Sequence, residues 1–121
     1  MLSPTQNIGS WGEKVAAWYL KKQGCLIIKT HFTNRFGEID IIAKQNDEFV
    51  FVEVKTRSKL KHGLPEQAVD YRKQKRLKKV ISAYLSLNQI EKFRIDIISI
   101  SPNTSSKKLT IRHHKAVLNI F

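Results

Sequence analysis

Two short segments carry most of the chemistry that the sequence offers: Glu38-Ile39-Asp40 and Glu53-Val54-Lys55. Between them lies Gln45-Asn46-Asp47-Glu48, whose composition favours a tight turn. If the turn is centred between Asn46 and Asp47, the flanking strands pair residues whose numbers sum to 93, and Asp40 faces Glu53. Opposed side chains lie about 5 Å apart, so two carboxylates would repel by roughly 3 kcal/mol at an effective dielectric of about 20. A divalent cation held by hard oxygen ligands would offset that repulsion, with Lys55 on the same face helping to neutralise the pair or hold a water. The competing arrangement is a surface ladder in which Glu38 pairs with Lys55 and the acids are solvated. Glu13 precedes Ala16, Ala17 and Leu20 by three, four and seven residues, which sets it on an apolar helix side. There it either joins the carboxylates or simply favours the dipole of the helix's first turn.

These groups need elements to hold them. Ser10 to Gln23 reads as a helix stopped by Gly24. Strands are expected at Cys25 to Phe32, Phe36 to Lys44 and Phe49 to Arg57, the last two as a hairpin. One hairpin face, Ile39, Ile41, Ala43, Val50, Val52 and Val54, is aliphatic and is expected to be core. The other carries Glu38, Asp40, Ile42, Phe49, Phe51, Glu53, Lys55 and Arg57. Pro65 suits the opening of a helix, and Leu77, Val80, Ile81, Tyr84 and Leu85 give the second long helix its buried stripe. Arg94 to Ile100 and Leu109 to His113 are strands four and five. The order of elements predicts an α/β sandwich around a mixed sheet, with strand order open. At 121 residues, the chain is expected to form one domain over residues 1–121.

Lys and Arg total 22 against 10 acids, a net charge of +12, which attracts polyanions and makes nucleic acid the leading partner. Arg72, Lys73, Lys75, Arg76, Lys78 and Lys79 fall within eight positions. Together with Lys55, Arg57, Lys59 and Lys61 they would form a phosphate track leading to the acids. A solvated helix face is the alternative. Trp11 and Trp18 are expected to pack in the core; base stacking or a homodimer contact is the lesser role. Asp96, beside Arg94, reads as structural. Cys25 lies in an apolar run and reads as a buried thiol, and no histidine stands at zinc-ligand spacing from it. No segment is apolar enough to cross a bilayer and the first residues lack a leader pattern, so a cytoplasmic protein without a membrane partner is expected.

Gly12-Glu13, Gly37 to Ala43 and Val50 to Arg57 resemble the YraN-like family of small, uncharacterised bacterial proteins. Gly63 to Val69, Lys73 to Leu77, Arg94-Ile95-Asp96 and Asn119-Ile120-Phe121 fit it too. That family is grouped with the PD-(D/E)XK restriction-endonuclease-like nucleases and is similar to archaeal Holliday junction resolvases. The resemblance implies a mixed sheet flanked by helices and an endonuclease using Mg²⁺ or Mn²⁺, with DNA, including branched or junction DNA, as substrate. It implies Asp40 and Glu53 as metal ligands with the Val54 carbonyl, Lys55 as the residue assisting the attacking water, and Glu13 as the helical acid. Ile39 stands where the motif's proline would be. Gln67 and Tyr71 have a spacing found in one branch of the superfamily, though chance gives it readily. The alternative function is a nucleic-acid-binding module that keeps the nuclease fold without turnover.

Overall fold

Helix α1 spans Pro4–Lys22, followed by β1 (Leu26–Asn34), β2 (Gly37–Gln45) and β3 (Glu48–Thr56); α2 (Tyr71–Asn88), β4 (Phe93–Asn103) and β5 (Lys108–His114) complete the order. The computed structural model describes residues 4–56, 69–103, 106 and 108–121. Each expected element is present with shifted ends. The helix expected from Ser10 already begins at Pro4, because proline's missing N–H costs nothing in a first turn. Glu13 is therefore mid-helix, and the first-turn dipole role falls. Gly24, at φ +89°, ends α1 in a left-handed cap: the Cys25 N–H donates to the Leu20 carbonyl (2.9 Å) and the Gly24 N–H to that of Lys21 (3.0 Å). Asp70 caps α2 by accepting from the Lys73 N–H at 2.8 Å. The helix start suggested at Pro65 lies outside the described residues.

The strands lie in sequence order, β1-β2-β3-β4-β5, with β3 and β4 parallel and the other pairs antiparallel. A parallel neighbour requires a crossover, and α2 lies in the connection that makes it. The β2–β3 ladder runs from Gln45 opposite Glu48 to Ile41 opposite Val52, the register expected from the turn.

Alternation along the strands gives the sheet two buried faces. Ala16 and Leu20 of α1 pack with Ile41, Ala43, Val50, Val52, Ile98 and Ile100. Leu77, Val80 and Ile81 of α2 pack with Ile42, Phe51, Ile95 and Ile97 on the opposite face. Each fully buried Val, Leu, Ile or Phe among them contributes about 1.5–3 kcal/mol. The result is a layered α/β fold consistent with a restriction-endonuclease-like core.

Two packing expectations are corrected. Ile39 joins the α2-side cluster rather than the face of Ile41, so the aliphatic face is broken beside Asp40. Trp11 and Trp18 are 39% and 57% exposed, because Ala16 and Leu20 are what α1 sets against the sheet. Cys25 is buried as expected. No helix among the described residues is long and apolar enough to cross a membrane.

Candidate metal and nucleic-acid site

The site forms where β2 and β3 leave their ladder. Beyond the Ile41–Val52 pair, the Val54 N–H donates to Asp40 Oδ2 at 2.8 Å, so a carboxylate takes a bond that a β2 carbonyl would otherwise receive. A strand residue's N–H and C=O leave on the same edge, so the Val54 carbonyl is directed to the Asp40 side. Between the strands, Asp40 acts on both Glu53 and Glu13.

Glu53 has a side chain only 3% exposed. Burial first, and Asp40 second, push its pKa to about 7 against the pull of Lys73 and Lys55. The Lys73 ammonium, from the first turn of α2, lies 2.9 Å from Glu53 Oε2. At that distance the ammonium both neutralises and hydrogen-bonds the carboxylate, whose Oε2 is closed off from water.

Burial depresses the Lys55 ammonium, and its neighbour Lys73 depresses it further. For Lys73 burial also opposes the charge, but Glu53 outweighs it and holds the proton on. Thus Lys73, rather than Lys55, makes the direct ion pair with Glu53, although both amines act on the acids.

Glu13 reaches this cluster because Gly12 lets α1 approach β3: a Cβ there would overlap the Thr56 hydroxyl and meet Val54 Cγ1 at 3.7 Å. Burial and then Asp40 raise the Glu13 pKa. His31, held at φ +52° within β1, lies 3.9 Å from Glu13 and 3.5 Å from Glu38. Glu38 therefore pairs with His31, and the proposed Glu38–Lys55 ladder is not the one formed.

Asp40, Glu53 and the Val54 carbonyl are hard oxygen donors, and a buried carboxylate beside a second one fits Mg²⁺ or Mn²⁺. Among the described residues no three His, Cys, Asp or Glu side chains gather closely enough to hold a metal themselves. A cation at this site would depend on the two carboxylates, the carbonyl and water.

On α2, Arg72, Lys75, Arg76, Lys78 and Lys79 are exposed, while Lys73 turns toward Glu53. Arg57, Lys59, Lys61 and Gln67 lie outside the described residues. Tyr71 is exposed, with the Lys75 ammonium 4.9 Å from its ring centre. The sequence placed Lys73 on the phosphate track but not against Glu53, and it did not mark His31. The Asp70 cap was the available signal for Lys73, since it fixes the helix start and hence the face on which residue 73 lies.

Asp96, opposite Val52 in the β3–β4 ladder, belongs to a separate buried network that reaches Glu48 at the start of β3. Its carboxylate accepts from Arg94 Nε (3.1 Å) and the Ala116 N–H (2.8 Å), and lies 2.7 Å from His113 Nε2. Arg94 continues to Glu48 and Tyr19 contacts His113. These bonds fit the structural role expected of Asp96.

Residues 12–100 match the uncharacterised protein family UPF0102. A UPF0102 protein of Caldanaerobacter subterraneus is 41% identical over 118 residues, covering 96% of this chain and 95% of that protein. Another, from Alkaliphilus oremlandii, is 43% identical over 112 residues, covering 89% and 94%. A third, from Clostridium botulinum, is 38% identical over 118 residues, covering 95% and 96%. With the family match spanning both acidic strands and the crossover helix, the chain belongs to the uncharacterised protein family UPF0102.

Proposed function

We propose that this protein is a divalent-metal-dependent endonuclease that hydrolyses phosphodiester bonds in DNA, branched DNA included. The observation that carries the reading is the buried Glu53 carboxylate set beside Asp40, its pKa raised by burial and by that second acid. Folding confines negative charge there at a cost, and that is useful where a cation and a phosphate must meet. Asp40, Glu53 and the Val54 carbonyl would hold Mg²⁺ or Mn²⁺. An ion held there would supply positive charge against the carboxylates and Lewis acidity toward the phosphate.

The chain's own residues do the rest. Lys55, whose ammonium is disfavoured by burial and by Lys73, holds and orients the attacking water. Glu13 orders the acidic side of the site through Asp40. The exposed lysines and arginines of α2 bind the backbone and carry no base readout, so the substrate is recognised by charge and shape.

A binding module without turnover is the second reading, and the Lys73–Glu53 ion pair favours it by offering the carboxylate a cation from the protein itself. The purified protein incubated with linear, single-stranded and four-way-junction DNA separates the two. Cleavage that needs Mn²⁺ and is lost in Glu53→Gln supports the enzyme. Binding without cleavage under every metal condition supports the module.

A further inference from the structure

Beside the carboxylates, the β1–β2 turn and α2 enclose a groove of about 500 Å³, lined by Thr33, Asn34, Gly37, Glu38, Lys73, Arg76 and Leu77. That volume falls in the range of small-ligand sites, roughly 300–1,000 Å³. Its walls are already fixed. Asn34 accepts from the Phe36 N–H at 2.9 Å and reaches the Val80 carbonyl of α2 at 3.4 Å. Gly37, at φ +147°, brings the turn so close that a Cβ would meet Val80 Cγ2 at 3.2 Å. A rigid turn docked on a basic helix needs no rearrangement to receive a ligand.

The wall chemistry selects the ligand. Arg76 is exposed and offers a planar fork of donors suited to phosphate oxygens. Thr33 is exposed and adds a hydroxyl, while Lys73 joins the groove to Glu53 at 2.9 Å. Glu38 is the acid among the lining residues, and its carboxylate is turned to His31 at 3.5 Å. Next along α2, Lys75, Lys78 and Lys79 surround a second hollow against Phe36, which continues the positive surface.

We propose that the groove between the β1–β2 turn and α2 is a subsite for a backbone phosphate of a polynucleotide strand, held by Arg76, Lys73 and Thr33. It takes the phosphate next to the one at the carboxylates, since a single lysine side chain bridges the two places. This rests on the nuclease reading for the strand's direction, but the phosphate contact is made without metal.

The test is equilibrium binding of a fluorescent single-stranded oligothymidylate in EDTA, over a range of salt. Wild type is compared with Arg76→Gln, Arg76→Lys, Thr33→Val and Lys22→Gln, the last an equal charge loss at the end of α1. Arg76→Gln should weaken binding on the order of tenfold and lower the salt slope by about 0.7, the value for one phosphate contact on a single strand. Arg76→Lys should restore the slope and only part of the affinity, Thr33→Val should weaken binding less, and Lys22→Gln should change little. If Arg76→Gln and Lys22→Gln lose equally, the subsite is overturned and the nuclease reading stands. If wild type does not bind the strand at all, the subsite is overturned, and the cleavage assay decides the nuclease reading separately. If polyglutamate of equal charge competes as well as the oligonucleotide, and Arg76→Gln weakens both alike, the groove fits an acidic peptide and the phosphate assignment is wrong.

Discussion

The Lys73 ammonium lies 2.9 Å from a Glu53 oxygen that is otherwise closed off from water. Glu53 titrates at about 7 in the fold against an ordinary 4.5, so the unfolded chain holds fewer protons between those values. The metal-free protein should therefore lose stability as pH rises from about 4.5 through about 7. Lys73→Met should move the upper edge of that window higher and cost about 2 kcal/mol at pH 8. This is less than for a wholly buried pair, because Lys73 keeps contact with solvent. Denaturant melts at several pH values check both effects.

Asp40 accepts the Val54 N–H and also opposes Glu53, and the two roles can be separated. Asp40→Asn keeps an acceptor oxygen and removes the repulsion, so it should stabilise the metal-free protein at neutral pH by about 1 kcal/mol. Asp40→Ala leaves a part-buried N–H without its acceptor and should destabilise it by about 1 kcal/mol. Loss of stability in both variants would mean that the carboxylate is wanted for its charge in the absence of metal.

Gly12 is where α1 crosses the end of β3, and Thr56 occupies the space a methyl group would need. Gly12→Ala should cost about 1–3 kcal/mol by overpacking, despite alanine's better helix propensity. A thermal melt with no loss would show that the helix shifts without strain.

The local parts of this site were legible because they rest on short-range rules. The Asn46–Asp47 turn set the β2–β3 register, and that register brings Asp40 and Glu53 to the same end of the hairpin. Glu13 followed from helical spacing, whereas the close approach at Gly12 was not read from the sequence. What could not be read depends on contacts distant in sequence. Lys73 meets Glu53 only because β4 lies parallel to β3, with α2 in the connection between them. Ile39 changes faces where Asp40 enters between the strands, a departure from two-residue alternation that composition does not mark. Trp11 and Trp18 look like core residues by type, yet the sheet takes the smaller Ala16 on that helix.

Asp96 ties β4 to the chain after β5 by accepting the Ala116 N–H, and Arg94 ties the same network to Glu48 of β3. Burial opposes the Asp96 charge, but the bonds from His113 and the Ala116 N–H, with Arg94, outweigh it and lower its pKa below 3.8. Its stabilising effect is thus present above that ordinary value and lost as pH falls through the lower folded one. Asp96→Asn should cost about 3 kcal/mol at pH 7 and leave oligonucleotide binding by the folded protein unchanged. A binding defect in the folded variant would tie this network to the nucleic-acid surface.

Calorimetric titration of Mn²⁺ into the nucleic-acid-free protein tests the central claim most directly. At pH 7 Glu53 is about half protonated, so binding should release roughly half a proton, seen as heat that varies with the buffer. That release should fade at pH 8.5, and Asp40→Asn and Glu53→Gln should each weaken binding at least tenfold. Wild-type binding that neither substitution disturbs, or no binding at all, would contradict the assignment of these two carboxylates as a metal site.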